Sequence, residues 1–428
     1  MMQKIKRKLQ HKATRNSFWI ISESAVSVGI TAVITILSAR YLGAADYGIL
    51  NYGLTLATLF LAIMKLGLDS IAVNELIKNR KKEGDILGTS LALRVVASLV
   101  SIVAIAVLLM IVNAGQTVLI VVALIQSIVL IFQAFYIFDY WFQSRLLSKY
   151  VSIAKIAATL LMSIYGVYLL LTNKGVIWFS VSTVLTSVIV AALLLIFYFK
   201  QGGQPLQYSA STAKYLLSKS HHFIIANIMS LVYVQIDKVM IGNMIDEVQL
   251  GLYSAAVMAC GAWSFLPNAI TTSMRPVILC LYQKSKKDFM RRLKQLYFMI
   301  FWISMAISAV LALSAPWVIP LLFGNEYIDS VLIVQVMIWA MPFSFLGMAR
   351  SVWIVAEDKN KYVKYYLFVG VVVNIVLNIL LIPNIGILGA AISTLATELV
   401  TCLAAPLFFR GTRAHPMIVI EAILYKLK

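Results

Sequence analysis

Stretches of twenty or so predominantly apolar residues follow one another along the chain, separated by short polar breaks. A helix rises about 1.5 Å per residue and the hydrocarbon core of a bilayer is about 30 Å thick, so each stretch is long enough to cross a membrane. The pattern predicts spans near 17–39, 47–66, 86–111, 117–141, 151–171, 176–199, 216–242, 250–274, 295–315, 330–354, 362–382 and 386–409. The expected fold class is therefore an all-α integral membrane protein with about twelve transmembrane helices. Loops are short throughout, which leaves no room for a soluble domain on either face. The longest interruption, 200–215, contains Gly202, Gly203 and Pro205. It reads as a linker between two six-helix bundles, 1–199 and 216–410, with 411–428 as a tail.

An internal match supports that division. The segment beginning Gly175-Val-Ile-Trp-Phe-Ser-Val-Ser-Thr aligns without gaps with Gly386-Ile-Leu-Gly-Ala-Ala-Ile-Ser-Thr, and Thr186 with Thr397. A weaker match pairs Asp46-Tyr-Gly-Ile-Leu50 with Gln249-Leu-Gly-Leu-Tyr253. Each match joins one span to the span six further on. Because six is even, the halves keep the same orientation and are expected to be related by a pseudo-two-fold axis along the membrane normal.

Composition removes the main competitor. Hydrophobic residues make up 61% of the 428 positions and charged residues 12%, too much apolar surface for a single aqueous core to hide. The net charge of +19 invites a nucleic-acid reading, but the 36 Lys and Arg residues sort by side. If the N-terminus is cytoplasmic, 29 fall on that side, while Arg40 and Lys174 lie outside. That is the positive-inside rule, so both termini are expected in the cytoplasm and no nucleic-acid partner is expected. Anionic lipid headgroups are the natural partners of such loops. The basic head before the first apolar stretch resembles a signal peptide, yet that stretch is too long and lacks a small-residue cleavage site, so it reads as a retained span. Cys260, Cys280 and Cys402 have no metal spacing and read as packing residues.

Ten charges remain inside the predicted spans: Glu23, Asp69, Asp139, Asp237, Glu398, Lys65, Arg94, Lys238, Arg275 and Arg350. Such residues cost about 2.5–3.5 kcal/mol each at mid-helix on insertion scales, and they tend to face a cavity or one another. Asp139 and Arg275 are near enough to a span end to reach the interface. Lys65 and Asp69 share a helical face and can neutralise each other. Arg94 and Arg350 lie a turn or two inside the basic boundary, where an arginine either snorkels or lines a vestibule that receives an anion. Asp237 and Lys238 point about 100° apart and need separate partners. Glu23 and Glu398 have no opposite charge at helical spacing, which makes them candidates for reversible protonation; a hydrogen bond to a neighbouring helix is the competing explanation. His221 and His222 are adjacent, poor geometry for a metal on one helix. No phosphate loop or nucleophile elbow is present, so an enzyme is not expected.

The run Ile236-Asp-Lys-Val-Met-Ile-Gly242 followed by Gly251-Leu-Tyr-Ser-Ala-Ala256 resembles the start of the second half of Wzx-type polysaccharide repeat-unit flippases. These belong to the multidrug/oligosaccharidyl-lipid/polysaccharide exporter superfamily. Arg40-Tyr-Leu-Gly43 with Tyr47-Gly48, Trp141-Phe-Gln143 with Lys149-Tyr150, Leu322-Phe-Gly-Asn-Glu-Tyr327, and 386–398 extend the resemblance in order across nearly the whole chain. It implies a V-shaped pair of bundles in the inner membrane of a bacterium that moves a polyprenyl-diphosphate-linked oligosaccharide between leaflets by alternating access. No bond is made or broken, and polysaccharide-assembly proteins become expected partners. On this reading Arg94, Arg350, Lys65 and Lys238 receive the diphosphate. Glu23, Asp69, Asp237 and Glu398 are the ion-coupling candidates, with H+ or Na+ in place of any cofactor. A drug exporter on the same fold, or a peptidoglycan-precursor flippase, is the alternative.

Overall fold

A computed structural model describes residues 2–424, and among these every regular element is a helix. Polarity inside the helices is inverted relative to a soluble protein. In the helix Glu83–Val112, the buried positions include Ser90, Arg94, Ser98 and Ser101. Val96, Val100, Val103 and Ile111 are exposed. Lipid is as apolar as valine, so nothing drives those side chains inward; small and polar residues gain most from helix-to-helix contact. Ser98 illustrates the gain, since its hydroxyl lies 2.7 Å from the Arg94 carbonyl and 3.0 Å from the Leu130 carbonyl of a neighbouring helix.

Among the described residues, ten helices are long and apolar enough to cross a membrane, and a bent pair raises the number to eleven. The pair is Glu247–Gly261 with Phe265–Lys284, bent by about 40°. One of the ten, Ser22–Lys65, has 44 residues and so measures roughly 66 Å, twice what a span needs. Gly43, at φ 75° and ψ 174°, breaks it. A side chain there would meet the left-handed penalty that glycine escapes. Counted as two, it brings the total to the expected twelve. The chain is a multi-pass membrane protein.

Two compact units divide between Leu231 and Val232, inside the helix Ala210–Met244. The segment expected to be a linker is fastened to the first unit. The Gln207 amide donates to the Gly84 carbonyl at 3.2 Å, the Ser209 amide donates to Thr89 Oγ1 at 3.0 Å, and the Tyr198 hydroxyl donates to the Gln204 carbonyl at 2.6 Å. Gly84 and Gly88 make this possible, because a Cβ at either would collide with the backbone of Pro205 or Gln207. Beneath lies an aromatic core of Phe138, Trp141, Phe142 and Tyr198. The wholly buried Glu83 accepts from Trp141 Nε1 at 2.9 Å and from Arg145 at 2.5 Å.

The second unit packs Phe289, Leu293, Tyr297, Leu346 and Trp353 together with Val419 and Ala422. Residues 414–423, expected to form part of a tail, are thus a helix seated in that core. His415 has no exposed surface; its Nε2 is 3.1 Å from the Tyr297 hydroxyl and its ring is 5.0 Å from that of Trp353. Glu421 closes the seat with an ion pair to Lys294 at 2.7 Å. Residues 425–428 lie outside the described residues. Both segments of the stronger internal match begin on a glycine that caps a helix, Gly175 before Val176–Lys200 and Gly386 before Ile387–Leu399.

Candidate functional site

Within the first unit, three of the sequence-derived candidates come together. Arg94, 1% exposed, meets Asp69 at 2.6 Å, and Lys65 meets the other carboxylate oxygen at 3.3 Å. The break after Lys65, where Leu66 and Gly67 both take positive φ, starts a new helix at Asp69 and turns it toward Arg94. Tyr140 adds its ring face, 5.4 Å from the guanidinium carbon. Two cations share one carboxylate, so the cluster keeps one net positive charge. Glu23 stands apart: it is buried and has no hydrogen-bond or ion-pair partner among the described residues.

The second unit treats its charges differently. Asp237 is buried, and its carboxylate accepts only from neutral groups: Asn378 Nδ2 at 2.6 Å, the Thr394 hydroxyl at 2.7 Å and the Tyr253 hydroxyl at 2.8 Å. Asn374 Oδ1 lies 3.1 Å from Asn378 Nδ2, and Asn378 Oδ1 is buried without a partner. One carboxylate among hydroxyl and amide oxygens is a donor set suited to a hard cation. Asn374, Asn378 and Thr394 were missed in the sequence. The signal was present in the first two, four residues apart on one face of the otherwise apolar Val363–Ile385. Lys238, next in sequence to Asp237, forms no hydrogen bond or ion pair among the described residues but lies within reach of the Asp237 charge.

Arg350 and Glu398 line a cavity of about 260 Å³, with Tyr233, Ser344, Asn360, Tyr366 and Thr401. Arg350 Nη1 donates to the Thr401 carbonyl at 2.7 Å, and its guanidinium carbon sits 4.5 Å from the Tyr366 ring centroid. That carbonyl is available because Val400–Ala404 forms a π-helical turn, which disturbs the usual i to i+4 bonding. No carboxylate among the described residues pairs with Arg350, and its Nε is buried without an acceptor. Glu398 faces Tyr233 and Ser344 and also feels the charge of Arg350 without forming an ion pair with it. The described residues contain no group of three or more His, Cys, Asp or Glu placed to hold a metal ion. His221 and His222 lie outside the described side chains.

Twelve predicted crossings with buried, partly uncompensated charges on their inner faces define a membrane protein built around polar chemistry within the bilayer. The model of the polysaccharide biosynthesis protein family matches residues 13–281, well over half of the chain, and the chain belongs to that family. The capsular polysaccharide biosynthesis protein CapF of Staphylococcus aureus is 23% identical over 177 residues, 41% of this chain and 44% of the relative. A Shigella flexneri protein provisionally named an O-antigen transporter is 26% identical over 170 residues, 40% of each chain. The chain thus matches less than half the length of these curated relatives. Among solved structures, the lipid II flippase MurJ in an inward closed conformation superposes with a TM-score of 0.71 at 16% identity, covering 95% of this chain and 90% of that one. That likeness shows the fold.

Proposed function

We propose that the protein flips a polyprenyl-diphosphate-linked oligosaccharide from the cytoplasmic to the outer leaflet by alternating access, driven by an H+ or Na+ gradient. The observation that carries this reading is that Arg350, inside an apolar helix, forms no ion pair among the described residues and is held by a backbone carbonyl and an aromatic face. A cation kept in a bilayer without an ion pair costs free energy that a passing anion can recover. A diphosphate suits the guanidinium fork. Arg94 and Lys65 supply the remaining positive charge of the path. Asp237, with its neutral oxygens, is the leading coupling group, with Glu23 and Glu398 beside it. Asp69 could couple an ion only by releasing the two cations that it holds. The distribution of Lys and Arg supports cytoplasmic termini in a bacterial inner membrane, where polysaccharide-assembly proteins would receive the product.

The test is transfer between leaflets in vesicles containing the purified protein and a polyprenyl-diphosphate-linked glycan. Transfer should begin when an ion gradient is imposed, and Arg350→Gln and Lys238→Gln should abolish it while the protein remains folded. Unchanged leaflet distribution under both proton and sodium gradients would defeat the proposal. Transfer of a peptidoglycan precursor in place of the glycan would reassign the substrate.

A further inference from the structure

Arg350 and Glu398 lie in one small cavity without forming an ion pair, although each is the only group of its sign lining it. We infer that this cavity is a proton-gated phosphate pocket: Arg350 binds a phosphate-type anion, and the anion enters only while Glu398 carries a proton. The inference rests on the flippase reading, for which it assigns the condition under which the cargo headgroup loads.

Size supports a small guest. The cavity, about 260 Å³, falls below the roughly 300–1,000 Å³ typical of sites for drug-sized ligands. A phosphate or diphosphate head fits that scale; an oligosaccharide does not. Donor chemistry supports an anion. Arg350 spends one hydrogen bond on the Thr401 carbonyl and keeps Nε unmatched, and the buried Tyr366 hydroxyl also lacks an acceptor. Ser351 and Asn360 line the same space. Unmatched buried donors in a low-dielectric cavity are the arrangement that an incoming oxyanion satisfies.

Glu398 sets the condition. A carboxylate facing the same space repels a phosphate and cancels the field of Arg350; a carboxyl becomes one more O–H donor to it. The proton is taken from water at loading and returned to water when the anion leaves, so charge balances over a cycle; because it travels with the cargo it is not the driving ion, a role that falls to the Asp237 site. The other ionisable groups near Glu398 are Tyr233 on Ala210–Met244, Arg350 on Met341–Ala356, Tyr366 on Val363–Ile385 and Cys402 in the π-helical turn. Tyrosine and cysteine ordinarily ionise above neutrality, arginine keeps its charge, and burial holds the His415 imidazole near Arg350 neutral, which leaves Glu398 as the group of the cavity that takes up a proton as pH falls.

The test is binding of farnesyl diphosphate and, separately, inorganic diphosphate to the full chain in phosphatidylcholine nanodiscs, by calorimetry between about pH 6 and pH 8. Wild type should bind farnesyl diphosphate about tenfold more tightly at the lower pH. Glu398→Gln should bind tightly throughout and show only the ligand's own titration, which is common to both proteins. Arg350→Gln should weaken binding at least about tenfold at every pH, and Arg350→Lys, a check that the cavity survives, should fall between. Comparable binding of inorganic diphosphate would identify a free anion site, and preference for the farnesyl form a lipid headgroup site. Wild-type affinity in Arg350→Gln, or an unaltered pH slope in Glu398→Gln, overturns the inference. Because binding needs no flipping, failure here leaves vesicle transfer untouched, and absent transfer with pH-gated binding intact defeats only the flippase reading.

Discussion

Two clusters, one in each unit, bury charge in different ways. In the first, Asp69 pairs directly with Arg94 and Lys65, so its carboxylate is compensated by charges within the cluster. In the second, Asp237 is held by hydroxyl and amide donors and Arg350 by a carbonyl and an aromatic face. Neutral dipoles stabilise a charge without cancelling it. The first arrangement offsets part of its own charge with a direct ion pair, and the second leaves its charges uncancelled by any ion pair.

That contrast breaks most visibly at Asp69. Replacing it with Asn strands the fully buried Arg94, and loss of one partner from a buried pair costs about 3–5 kcal/mol. The lower end is expected because Asp69 is partly exposed. Thermal melting of purified protein should show it as a large fall in Tm, accompanied by reduced membrane abundance. Asp237→Asn keeps the shape and the neutral cage, so its stability should stay within about 1 kcal/mol of wild type. Gradient-driven transfer should nevertheless fail. Equal destabilisation by the two substitutions would remove the distinction.

Acid provides a third probe, of the seat of helix Ala414–Ile423. Burial, then the nearby charges of Arg350 and Lys359, hold the His415 imidazole well below its ordinary range. Unfolded, the ring ionises near 6.5, so below that value the unfolded chain binds the extra proton. Stability contributed by the neutral ring is therefore complete above that pH and declines as pH falls through it, by up to about 1.4 kcal/mol per unit. His415→Phe should flatten this part of a melting profile measured from about pH 8 to pH 5. The smallest effect belongs to Lys65→Ala. Lys65 is 35% exposed, and its loss should cost no more than about 1 kcal/mol because Arg94 still holds Asp69.

Much of the architecture was legible from hydropathy alone, because bilayer thickness fixes helix length and the positive-inside rule ties loops to one face. The break at Gly43 lies in the gap between the first two predicted spans, and the Lys65–Asp69 pair follows from helical spacing. Other features depend on residues far apart in sequence. Asp237 meets Asn378 and Thr394 from positions more than 140 residues away, and nothing in local periodicity encodes that meeting. The docking of 203–209 depends on two glycines that read as ordinary helix positions. His415 looked like part of a tail because a mostly apolar helix of ten residues is too short to span a bilayer, although it is long enough to plug a core.

The seated helix also imposes a schedule on synthesis. Tyr297 and His415 are 118 positions apart, so the pocket formed by Phe289, Tyr297 and Trp353 stays open until the ribosome has released residue 415 and its neighbours. The residues of the first unit end at Leu231, so all of them are synthesised before that pocket can close. A nascent chain arrested between those points would carry one completed bundle and one with an unsealed aromatic pocket, the kind of surface that membrane quality control degrades.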